Sequence, residues 1–74
     1  MTPAELGSFV RAERKALSLT QQEVADLAGV SDRFVREVEK GKATAEIGLV
    51  IEILAVLGFE LVPIVHDVTG GTIA

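Results

Sequence analysis

Cysteine is absent from these 74 residues, so neither a disulfide nor a thiolate metal site can hold the fold together. Histidine occurs once, as His66, with no second imidazole to complete a metal site; it is expected on the surface. No basic stretch leads into a long apolar run at the N-terminus, so no signal peptide is expected. The longest apolar stretch, Ile47 to Leu57, is interrupted by Glu52 and is too short to span a bilayer. Ser8, Ser18 and Ser31 have no neighbouring base motif, and Gly70-Gly71 resembles no phosphate loop. Internal repeats and low-complexity segments are also missing. These absences argue against an enzyme, a cofactor and a membrane partner, and leave a cytoplasmic protein as the expectation. A chain this short makes one domain and buries a modest fraction of its unfolded surface. Without a disulfide or a metal, association with a second chain is the expected source of extra stability.

Lysine and arginine are missing from residues 43–74. All seven (Arg11, Arg14, Lys15, Arg33, Arg36, Lys40 and Lys42) lie between 11 and 42, where six acids leave a net charge of +1. Residues 43 to 74 hold four acids, and the chain as a whole carries −4. An acidic total argues against a polyanionic partner, but a polarised molecule meets its partner with one face and not with its average charge.

Helix start signals are dense. Thr2, Pro3 and Glu5 read as an N-cap, a proline in the first turn and a capping-box partner, and Leu6, Phe9 and Val10 supply an apolar stripe. A first helix is therefore expected to run to about Leu17. Thr20 and Glu23 form a second capping box, with Leu19 and Val24 at the positions of a hydrophobic staple. That helix should stop at Gly29. Ser31 then caps a third helix, from Asp32 to about Lys40, ended by Gly41, with Val30 and Val35 as its staple. Thr44 is expected to cap a fourth, from about Ala45 to Leu57 and closed by Gly58. Phe59 to His66 is apolar and β-branched and reads as a strand, with Pro63 confining it to an edge. Residues 1–67 form the expected domain, and Val68 to Ala74 reads as a flexible tail.

Two short helices joined through a glycine turn form a helix-turn-helix signature. Ala25 and Ala28 are small enough for the third helix to cross closely over the second, and Val30, Val35 and Val38 fill the angle between them. Here the sequence resembles the Cro/C1-type (lambda-repressor-like, or Xre) helix-turn-helix family. The resemblance rests on Thr20-Gln21-x-Glu23-Val24-Ala25, then Ala28-Gly29-Val30-Ser31, then Glu39-x-Gly41-Lys42. It implies a DNA-binding domain whose third helix enters the major groove. It further implies that Gln21 contacts a phosphate and orients reading side chains, and that Arg14 pairs with Glu39 in a structural role.

With Val35 and Val38 inward, the third helix exposes Asp32, Arg33, Arg36 and Glu37. Arg33 and Arg36 can each fork onto O6 and N7 of a guanine. Asp32 and Glu37 can accept from cytosine N4 or hold the arginines in place, and Asp32 also suits the positive end of the helix dipole. Lys40 and Lys42 are expected on phosphate, which positions without specifying.

Residues 44–61 resemble the ending of HipB-type antitoxins, in which a fourth helix passes into a strand that pairs across a dimer. Independently, the apolar residues of the fourth helix cover an arc of roughly 220°, where a helix over one small core needs little more than a ~100° stripe. The surplus predicts a homodimer through Leu49, Ile53 and Val56 of the helix and Phe59, Leu61, Val62 and Ile64 of the strand. The whole is expected to be mainly α, a lambda-repressor-like domain of four to five helices with a short C-terminal β-strand pairing across the homodimer. The resemblances imply a repressor that binds a palindromic operator and serves as the antitoxin of a HipA-like kinase toxin. A free-standing repressor of the same fold, or a module that binds only proteins, are the alternatives.

Overall fold

In the computed structural model, residues 1–66 are described. Four helices follow one another: α1 (Pro3–Ala16), α2 (Gln21–Ala28), α3 (Asp32–Glu39) and α4 (Ile47–Val56). The expected tail at 68–74 lies outside the described residues.

The first three helices begin where local chemistry dictates. Thr2 Oγ1 accepts from the Glu5 N–H at 3.1 Å, while Glu5 Oε1 accepts from the Thr2 N–H at 2.8 Å. Thr20 and Glu23 repeat this reciprocal box at 3.0 and 2.8 Å. Ser31 Oγ accepts from the Phe34 N–H at 3.0 Å. Each bond satisfies an amide that the helix itself leaves without a partner. Gly29 ends α2 in a left-handed conformation (φ 72°), and the Val30 N–H reaches back to the Ala25 carbonyl at 3.0 Å. The end of α1 is less conventional. Ser18 takes the left-handed position with φ 57°, a conformation that favours glycine.

Val10, Val24, Val35 and Ile53 are fully buried and form the centre of the core, with Ala25, Val38, Val50, Leu54 and Leu57 around them. Backbones also approach closely. A Cβ on Gly7 would stand 2.7 Å from the Glu39 carbonyl oxygen, so α1 lies directly against the end of α3. Gly41, with φ 85°, sits where a Cβ would come within 2.9 Å of Ala4 Cα.

Two expectations for the C-terminal half are corrected, and the expected strand is not formed within one chain. Helix α4 starts at Ile47, two residues later than expected. Its N-cap is Glu46, which makes no side-chain capping bond, while Ala45 packs against the core and holds the preceding turn. Ile53, expected at a dimer contact, is fully buried within its own chain, and Leu49 and Val56 are half-buried. The large apolar side chains that α4 leaves exposed are Ile47 and Ile51, at 61% and 44%. Finally, Phe59 to His66 forms no strand in the single chain, since no other extended segment among the described residues is there to pair with it. Phe59 instead folds back edge-on against Phe9, with ring centroids 4.7 Å apart. Leu61, Val62, Ile64 and Val65 remain exposed.

Candidate nucleic-acid interface

Three helices are locked together at one carboxylate. Glu39, at the end of α3, accepts from Arg14 Nε at 2.6 Å and Nη2 at 3.1 Å, and from Gln21 Nε2 at 3.0 Å. Arg14 Nη1 also donates to the Leu19 carbonyl at 2.8 Å, which ties in the loop between α1 and α2. Burial pushes the Glu39 carboxyl up, but hydrogen bonds from Arg14 and Gln21, with the fields of Arg14 and Arg11, outweigh it and hold Glu39 below the usual carboxylate range. The hydrogen bond to Glu39 likewise raises Arg14 above its ordinary value, against the opposing effect of burial. Gln21, at the first position of α2, is thus held by a partner that itself belongs to α3. The Arg14–Glu39 pair is the one that the resemblance implied.

On this platform α3 turns Val35 and Val38 into the core and leaves Asp32, Arg33, Arg36 and Glu37 on the opposite side. The arginines do not stand free. Arg36 Nη1 lies 2.5 Å from Asp32 Oδ2, and Arg33 Nε lies 2.9 Å from Glu37 Oε1, both one turn apart. Lys42, beyond the end of the helix, reaches back to Glu37 Oε2 at 2.5 Å. Its hydrogen bond is the main cause that holds Glu37 below the usual carboxylate range, and Arg33 adds to it.

A second feature adjoins this face. A hollow of about 500 Å³ opens between the end of α1, the start of α2 and the outer side of α3, lined by Arg11, Arg14, Thr20, Gln21, Arg36 and Lys40. It gathers Gln21, Arg36 and Lys40 of the expected site, while Arg33 and Lys42 meet at Glu37 and Asp32 stays with Arg36. Arg11 was missed. It is exposed and stands one turn before Arg14, and that spacing would have placed it beside the junction. Among the described residues no group of acidic or histidine side chains is arranged to hold a metal. Among the described residues no helix is long and apolar enough to cross a membrane.

Residues 10–64 match the helix-turn-helix family model HTH_3. The chain is also 49% identical, over 57 residues, to an uncharacterised HTH-type transcriptional regulator, y4mF, of Sinorhizobium fredii, covering 77% of this chain and 75% of that protein. The Thr20–Glu23 capping box, the glycine turn and the Arg14–Glu39 lock all fall within residues 10–64, and the chain belongs to the HTH_3 family of Cro/C1-type helix-turn-helix proteins.

Proposed function

We propose that the protein is a sequence-specific DNA-binding transcriptional repressor, acting in the cytoplasm as a homodimer on a palindromic operator. The observation that carries this reading is the rigid presentation of α3. Its apolar side is sunk in the core, its end is pinned through Glu39 to α1 and α2, and its outer side carries Arg33 and Arg36. A helix held this way can enter a major groove without paying further ordering entropy, and Arg33 and Arg36 suit guanine O6 and N7. In this reading Gln21, Arg11, Lys40 and Lys42 serve the phosphates that flank the groove. One such unit contacts too few base pairs to select a genomic site, which favours a dimer reading two half-sites about 34–36 Å apart. In vitro selection from a random duplex library tests the reading. Enrichment of an inverted repeat with that spacing is expected, and failure to enrich any sequence would overturn it.

A narrower reading, an antitoxin of HipB type that also holds a HipA-like kinase, is favoured by the exposed apolar run Leu61, Val62, Ile64 and Val65 after α4. Its test is the neighbouring gene: a kinase-like product that co-purifies with the repressor supports the antitoxin role, and the absence of one leaves a free-standing repressor.

A further inference from the structure

The outer face of α3 contains an arrangement that affinity for DNA alone does not require. Glu37 lies in the middle of a surface meant to meet a polyanion, and it is the most enclosed charged side chain there, 26% exposed against 80% for Arg33 and 48% for Lys42. Both carboxylate oxygens are occupied, Oε1 by Arg33 Nε at 2.9 Å and Oε2 by Lys42 Nζ at 2.5 Å. The Asp32–Arg36 pair differs. It is a single contact between two half-exposed side chains, and Asp32 sits in the first turn of α3, where the helix dipole favours a carboxylate without any partner. Glu37 is in the second turn, and no such stabilisation explains it.

The fixed negative charge has two consequences. Phosphates approaching Lys42 or Arg33 meet it well inside the screening length of about 8 Å at physiological ionic strength, so it weakens every sequence-independent contact at this corner. A cation that turns to DNA gives up its bond to the carboxylate, and that loss is offset only where another donor replaces it. On the edge of a base pair in the major groove only a donor can do so, and cytosine N4–H is such a donor for a glutamate.

We propose that Glu37 is the selectivity residue of the reading face: it holds Arg33 and Lys42 in reserve and releases them to DNA where a base-edge donor takes their place on its carboxylate. The idea rests on the DNA-reading role of α3. Discrimination then comes from a repulsive element as much as from an attractive one. Off-site DNA meets a corner whose two cations are already engaged. On-site DNA gains the Glu37–cytosine bond, a freed Arg33 that can fork onto a neighbouring guanine, and a freed Lys42 for phosphate.

The experiment compares the full chain with E37Q, E37D, K42Q and E37Q/K42Q, on the duplex that the unaltered protein selects from a random library and on a random-sequence duplex, across a salt series. E37Q is expected to bind the random duplex about three- to fivefold more tightly, the scale of an exposed ion pair released. Its salt dependence should steepen by about one phosphate contact, a slope change of ~0.9. Affinity for the selected duplex should hold or fall, so that the ratio of the two drops about tenfold or more, and a fresh selection with E37Q should lose its preference at one base pair per half-site. In the K42Q background the gain on random DNA should shrink. E37D, which keeps the charge on a shorter arm, should bind random DNA as weakly as the unaltered protein. Equal weakening of E37Q on both duplexes, or an unchanged ratio and salt slope, would overturn the proposal while leaving the DNA-reading role intact. An unaltered protein that selects no sequence would overturn the DNA-reading role itself, and this proposal with it.

Discussion

Arg14 and Glu39, 25 residues apart, form a two-pronged ion pair at 2.6 and 3.1 Å with side chains only 10% and 4% exposed, and this pair ties α1 to the end of α3. Arg14→Ala leaves a covered carboxylate with Gln21 as its remaining side-chain donor. Breaking a buried pair costs ~3–5 kcal/mol, and the shallow position of this one suggests about 2–4 kcal/mol in urea unfolding. A loss within ~1 kcal/mol would mean that the pair behaves as an exposed one. The pair also predicts a pH dependence. Glu39 is held below its ordinary value in the folded protein, so its stabilisation is fully present above the unfolded carboxylate value, about 4.3, and is lost as the pH falls through the lower folded value. Glu39→Gln should therefore be less stable at neutral pH and should flatten the acid limb of the stability curve.

Two glycines on helices should respond in opposite directions to the same substitution. A Cβ on Gly7 would come 2.7 Å from the Glu39 carbonyl oxygen and 2.9 Å from its carbon, and backbone at a helix end cannot yield. Gly7→Ala must push α1 off α3, and a loss of ~1–3 kcal/mol with weakened DNA binding is expected. A Cβ on Gly48, in the first turn of α4, would meet nothing within 4 Å. Gly48→Ala should raise stability by about 0.5–1 kcal/mol through helix propensity alone. Thermal melts of the two variants check both signs, and a stabilised Gly7→Ala protein would refute the close packing.

These two positions also mark what the sequence could tell. The starts of α1, α2 and α3 were legible because a cap is chemistry among residues three apart, as in Thr20–Glu23. The end of α1 was less so, because Ser18 accepts a left-handed conformation that the sequence suggests only for glycine or asparagine. Gly7 carried no signal, since contact with residues 38 and 39 exists only after the chain has folded. The orientation of α4 was misread for a related reason. Apolar residues surround that helix, and periodicity cannot say whether Ile53 or Ile51 faces inward; packing against α2 places Ile53 in the core. Of the interface, the polar face of α3 was readable from its spacing, but the pairing of its four charges among themselves was not.

Arg11 and Arg36 line the same hollow but should fail differently. Arg11→Gln removes a charge at the rim, so all duplexes should be bound more weakly by a similar factor, with the salt slope reduced by ~0.9. Arg36→Ala should cost about 1–3 kcal/mol on the selected duplex, much less on random DNA, and relax preference at one base pair. Titrations over a panel of operator variants distinguish the two patterns. If Arg36→Ala behaved like Arg11→Gln, the reading helix would lie differently on the groove.

Assembly can be tested without disturbing the platform, because the structure separates two parts of the C-terminal segment. Phe59 belongs to its own domain through the edge-on contact with Phe9, so truncation from Phe59 onward would confuse a dimer defect with a folding defect. Ile64, 83% exposed, makes no such contribution and is the cleaner probe. If two copies pair their Leu61 to Val65 segments as strands, Ile64→Lys places two like charges close together across the symmetry axis at an apolar site, which is unfavourable for both pairing and burial. Sedimentation should then show a monomer whose helical content matches that of the unaltered protein. Operator binding should be lost even though Gln21, Arg33, Arg36 and Lys42 are all intact, since a single unit reads only one half-site. A variant that sediments as a dimer and still binds the operator would move the interface off this segment, to the exposed Ile47–Ile51 side of α4.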